Sequence, residues 1–115
     1  MSRKSASWQV WMADLFATAD AEQTGRRPVV VASSPFFVSF PTATAVVVPL
    51  TIRDLGLPHH VPINSVQAGL SRPSWARTDD IRTISEQHLI GRPLGTVSDK
   101  EAADIRAYLR LMLDI

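Results

Sequence analysis

Two proline-bounded runs of valine dominate the middle of the chain, "PVVVAS" at 28–33 and "ATAVVVPLT" at 43–51. β-branched side chains are stiff at χ1 and pack well on a pleated surface. Apolar runs that do not alternate with polar residues fit strands covered on both faces. Pro49, inside the second run, predicts a bulge or a strand edge, because proline donates nothing to a ladder. A third stretch, "WQVWMADL" at 8–15, is rich in aromatic residues and reads as the first strand. Between it and the valines, "ATADAEQTG" reads as a loop of roughly ten residues, long for a hairpin and so a place for function.

After the second run, "IRDLGLPHHVP" is a loop, and "HVPINSV", "SWARTDDIRTIS" and "RPLGTVS" (92–98) read as shorter strands. Five or six strands thus precede the one long helix, "SDKEAADIRAYLRLMLDI". Ser98 and Glu101 have capping-box spacing at its start. Ala102, Ile105, Leu109, Met112 and Leu113 recur on one helical face. Leu111 and Ile115 fall off that stripe and point to a second contact, such as another subunit. Strands first and a helix last predict an α+β arrangement, a small and strongly curved sheet or barrel closed by a helix at about 98–114.

Composition narrows the class. A chain of 115 residues holds one compact domain. It has no cysteine, which excludes disulfide scaffolds and thiolate metal sites. The basic start lacks the apolar core of a secretion signal, since Gln9 and Asp14 interrupt it, and no run approaches the ~18 apolar residues of a membrane span. The sequence predicts a soluble cytoplasmic protein. Ten of the twelve cations are arginine, a planar fork of donors that suits phosphate; a GC-rich genome would give the same bias.

Arg27 stands directly before Pro28. Proline fixes its own φ and holds the preceding residue extended, so Arg27 enters its strand on a stiff support. That suits a group meeting a phosphate at fixed geometry, although a solvated arginine at a strand start is the commoner outcome of such a motif.

The ordered set "VWMADL", "EQTGRRPVVV", "VVVPLT", "DDIRTIS" and "GTVSDKEAADIRAYLRLMLDI" resembles the MazF/PemK family of toxin endoribonucleases along nearly the whole chain. The resemblance implies a single toxin domain over 1–115, an SH3-like β-barrel of mostly antiparallel strands related to the gyrase poison CcdB, and a homodimer. It implies cleavage of single-stranded RNA without a cofactor or metal, leaving a 2′,3′-cyclic phosphate and a 5′-hydroxyl. Its catalytic pair maps to Arg27 and Thr51. RNA contacts are expected at Glu22, Gln23, Arg26, Arg53, His60, Arg77, Asp80 and Arg82. A cognate MazE-like antitoxin with a disordered acidic tail would occupy the RNA groove. Two alternatives on the same fold are a CcdB-like, non-hydrolytic gyrase poison and a degenerate toxin that no longer cuts.

Arginine stays protonated in proteins, so its role is electrostatic, and the general base is open among Glu22, His59, His60, Asp79 and Asp80. The family's glutamine before Ile-Arg-Thr is Asp80 here. A carboxylate there either reads an exocyclic amine, as acidic side chains do with cytosine, or pairs with Arg77 or Arg82. The family's Gly-Asp and Asp-Pro places read "SWQVW" and "LFATA", including Phe16 and Ala17, which leaves the substrate preference open but not the fold; altered base selection is expected at Asp80. No second ligand cluster accompanies His59-His60 in the sequence, so the pair reads as loop histidines and not a metal site. Trp8, Trp11 and Trp75 are candidates for base stacking, with core or interface packing expected for at least two of them.

Overall fold

A computed structural model describes residues 4–15, 25–38 and 40–115. Its elements in order are β1 (Gln9–Leu15), β2 (Gly25–Val31), a single turn of helix α1 (Pro35–Val38), β3 (Thr44–Thr51), β4 (His60–Ile63), β5 (Ser74–Arg77), β6 (Arg82–Ser85), β7 (Leu89–Thr96) and α2 (Asp99–Leu113). Every strand pairing among the described residues is antiparallel.

β2 lies between β1 and β3, which is why its three valines need no polar alternation. Val30 faces a core shared with Val10, Val48, Leu50, Val61, Ile63, Ala76, Ala102 and Ile105. Val29 and Val31 face the other way, into a second cluster with Trp11, Ala13, Leu15, Ala45, Val47 and Leu89. The two faces of the sheet are therefore distinct, and α2 contributes only to the first.

β3 is the branching strand. Residues 44–47 pair with β6, and residues 50–51 pair with β5. Pro49 lies between these two pairings, where no partner on that side calls on its missing N–H. A proline in a central run is thereby tolerated at a local edge, one of the two placements that the sequence predicts. "SWARTDDIRTIS" is accordingly two strands, because Thr78–Asp80 forms a 3₁₀ turn that moves the chain from one end of β3 to the other. The count is seven strands among the described residues, above the expected five or six.

The sheet order is β4-β5-β3-β2-β1-β7, with β6 branching from β3. The end strands β4 and β7 do not pair, so the expected barrel is an open sheet. α2 lies against β4 and the 78–80 turn, covering one end strand in place of a closing ladder. At β7 the chain approaches itself backbone to backbone: a Cβ on Gly69 (φ +74°) would stand 2.0 Å from the Leu94 carbonyl oxygen, so only glycine fits.

The capping box forms as the sequence predicts. Ser98 Oγ accepts from the Glu101 N–H, and Glu101 accepts from the Ser98 N–H. Ala102 and Ile105 are buried, but packing stops at Leu109. Met112 and Leu113, expected on the apolar face, are exposed, as are Leu111 (74 %) and Ile115 (78 %). Among the described residues no helix is long and apolar enough to cross a membrane.

Candidate nucleic-acid interface

Alternation along the strands sorts the candidate residues. Val48 and Leu50 face the helix-side core, so Thr51, the last residue of β3, faces the opposite side. Val30 likewise faces the helix, so Arg27 shares the side of Val29 and Val31. The pairing of β2 with β3 runs through Val31↔Val47, Val30↔Val48 and Val29↔Pro49. Two residues further toward the same end of the sheet, that register sets Arg27 across from Thr51.

Arg27 is half-buried beside Ala13 of β1, and among the described residues it has no ion-pair or hydrogen-bond partner. Thr51 Oγ1 accepts the Arg53 N–H at 3.1 Å, which fixes the hydroxyl oxygen and leaves its proton to donate outward. Such a hydroxyl can donate to an anion. Arg26 projects to the other side and lies across from Asp14, both exposed. Glu22, Gln23, Phe16 and Ala17 lie outside the described residues.

The same face continues over the neighbouring strands. Trp75 pairs with Thr51 and with Pro62, and Arg77 pairs with His60, so Thr51, Trp75, Arg77 and His60 share a side. Trp75 is half-buried, whereas Trp11 is buried in the second cluster and Trp8 packs on the first. Two of the three tryptophans therefore pack, and Trp75 remains available for stacking. Arg82 pairs with Val47 of β3 and faces the same way. Its guanidinium holds Asp80 at 2.7 Å, the pairing that the sequence offered as one use of that carboxylate.

At the β4–β5 end, His59, His60 and Asp79 come together. His59 Nε2 lies 3.6 Å and His60 Nε2 3.5 Å from the Asp79 carboxylate, and the two rings stack edge to face. Arg77 Nε stands 4.0 Å from the same carboxylate. Burial pushes the His60 imidazole below its ordinary value; Asp79 pulls upward, while His59 and Arg77 add to the fall. The sequence reading missed this grouping, because Asp79 reaches the histidines only through the pairing of β5 with β4. The "TDD" turn after a strand facing "HH" was the available signal.

The protein is an open antiparallel sheet with arginines, a threonine, a tryptophan and a histidine on one face and a helix on the other. The chain belongs to the PemK-like, MazF-like toxins of type II toxin–antitoxin systems, whose family pattern matches residues 6–113. It is 37 % identical to Endoribonuclease EndoA of Bacillus subtilis over 81 residues, 70 % of each chain. Its fold is that of MazF from Deinococcus radiodurans, with a TM-score of 0.83 at 22 % identity, covering 99 % of this chain and 100 % of that one. It also matches a mycobacterial endoribonuclease solved in complex with its cognate antitoxin, with a TM-score of 0.78 at 24 % identity over 96 % of each chain.

Proposed function

We propose that the chain is an endoribonuclease toxin that cleaves single-stranded RNA at a recognised short sequence, without a metal, and is held inactive by a cognate antitoxin. The family and the named endoribonuclease relative support the activity. The observation that carries the chemistry is the shared face of Arg27 and Thr51, at the end of the β2–β3 pairing.

In this reading the 2′-oxygen of the RNA attacks the adjacent phosphorus. One bond forms from the 2′-oxygen to phosphorus, and the bond from phosphorus to the 5′-oxygen breaks. The proton lost from the 2′-hydroxyl is balanced by one gained at the 5′-oxygen, leaving a 2′,3′-cyclic phosphate and a 5′-hydroxyl. No external nucleophile is required, so the protein supplies position and charge. The Arg27 guanidinium offsets negative charge on the phosphorane oxygens, and the Thr51 hydroxyl donates one more hydrogen bond to them. Trp75 stacks a neighbouring base, and Arg53, Arg77 and Arg82 guide the backbone.

The antitoxin would lay an acidic tail along this face, and the active unit would be a homodimer. The test is a long RNA incubated with the purified chain in EDTA, with mapping of the ends. Cuts at a recurring short sequence bearing cyclic-phosphate termini are expected. Intact RNA together with gyrase–DNA cleavage complexes would replace this reading with that of a gyrase poison. Neither activity would leave a toxin fold that no longer cuts.

A further inference from the structure

We propose that His59, His60 and Asp79 form a binding site for a divalent transition-metal ion of the zinc class, with three protein ligands and a fourth position open to solvent. Zinc of this kind takes imidazole nitrogen and carboxylate oxygen at ~2.0–2.2 Å, so its tetrahedral ligands stand roughly 3.3 Å apart. Each imidazole Nε2 here stands near that spacing from one oxygen of Asp79, His59 at 3.6 Å from Oδ2 and His60 at 3.5 Å from Oδ1, and one ligand atom from each residue lies within 4.8 Å of the others. Two nitrogens and one carboxylate favour zinc, cobalt, nickel or copper over magnesium or calcium, which prefer oxygen.

The site is built into the fold. His59 stands in the turn before β4, so its ring folds back beside that of His60 where strand alternation would separate them. The buried Thr78 hydroxyl donates to the His59 carbonyl at 2.6 Å, and the His60 N–H donates to the Leu57 carbonyl at 3.1 Å. Asp79 is carried by the turn that packs against α2. The His60 side chain is 2 % exposed, yet neither of its ring nitrogens meets a hydrogen-bond partner. Nε2 has only the long 3.5 Å contact to Asp79; a buried polar group so poorly met calls for an explanation, and a metal between the two supplies one. His59 and Asp79 are 25 % and 34 % exposed, which gives the ion its way in and water its place in the fourth position.

Arg77 is the competing cation. With its Nε 4.0 Å from Asp79, it offsets part of the carboxylate charge that the metal would use. The site does not depend on RNA cleavage, which is read separately in EDTA.

The experiment is a titration of the tag-free, EDTA-stripped full chain with zinc chloride by calorimetry, and with cobalt chloride by visible absorption. One ion per chain, a Kd at or below about 10 μM and the strong visible bands of four-coordinate cobalt are expected. Asp79→Asn, at a partly exposed position, should weaken zinc at least ~10-fold, and His60→Gln should do the same. Arg77→Gln should tighten it, and His88→Ala, which removes the remaining histidine, should leave it unchanged. Absence of binding at millimolar zinc overturns the proposal. So does equal affinity in the wild type and Asp79→Asn, or binding lost with His88→Ala.

Discussion

The two faces of the sheet treat polar groups in opposite ways. On the helix side, Glu101 is buried, and its carboxylate accepts from the Ser65 hydroxyl and from the backbone N–H groups of Asn64, Ser65 and Ser98. It ties the start of α2 to the chain after β4. On the other face, Arg27 has no partner among the described residues, Thr51 accepts a bond but keeps its proton free, and both His60 ring nitrogens lack a hydrogen bond. A satisfied polar group is there for the fold, whereas an unsatisfied one in a chosen position is available to a ligand. The comparison predicts that substitutions on the two faces fall into separate columns, stability on one side and chemistry on the other.

Arg27 should show the largest effect. Arg27→Ala removes a charged donor that stands apart from other described groups, and loss of one such donor typically costs ~10²–10³ in rate. Single-turnover cleavage of a mapped RNA should fall by that factor while the thermal midpoint stays within a degree or two. Arg27→Lys should be nearly as poor, because an ammonium cannot reproduce the planar fork. Near-normal cleavage by the lysine variant would reduce the requirement to charge alone.

Glu101 should give the opposite outcome. Glu101→Ala strands several buried donors, each worth ~1–3 kcal/mol when left unsatisfied, and removes the capping box. A stability loss of about 3 kcal/mol is expected by urea unfolding, with cleavage per folded molecule unchanged. An activity loss exceeding the loss of folded protein would mean that the two faces are coupled. Thr51→Val comes next. Cleavage should drop by ~10², with stability altered by less than about 0.5 kcal/mol, since the Arg53 N–H is exposed and can turn to water.

The legibility of these regions in the sequence follows the same division. α2 was readable because its signals are local: Ser98, Glu101 and the apolar spacing all act within a few residues. The valine strands were readable because burial on both faces leaves a short, β-branched run without polar alternation, here bounded by prolines. The strand count and the open sheet were not, since both depend on β3 exchanging β6 for β5 around Pro49, a long-range choice that no local pattern encodes. The arginine and threonine were found through the family's ordered motifs, and their common face follows only from register. Asp79 was missed as a companion of His59 and His60 because nineteen or twenty positions of sequence separate them. The exposure of Met112 and Leu113 escaped the helical periodicity, which knows the face but not where the packing ends.

The smallest effect concerns pH and again belongs to Glu101. Burial alone would raise its carboxyl, but the bonds from the Ser65 hydroxyl and from the Ser98, Asn64 and Ser65 backbone outweigh it, so it is held below its ordinary value of 4.5. In the unfolded chain the carboxyl takes its proton first as pH falls. The stabilisation is therefore fully present above about pH 4.5 and is lost as pH drops through the lower folded value. Glu101→Gln keeps the shape but not the charge, and should be about 1–2 kcal/mol less stable than the wild type at neutral pH. That gap should narrow steadily below pH 4.5 as the wild-type carboxyl becomes neutral too. A gap that stays constant to pH 3 would show that shape, and not ionisation, fixes the helix, and it would remove the charge-based half of the contrast between the two faces.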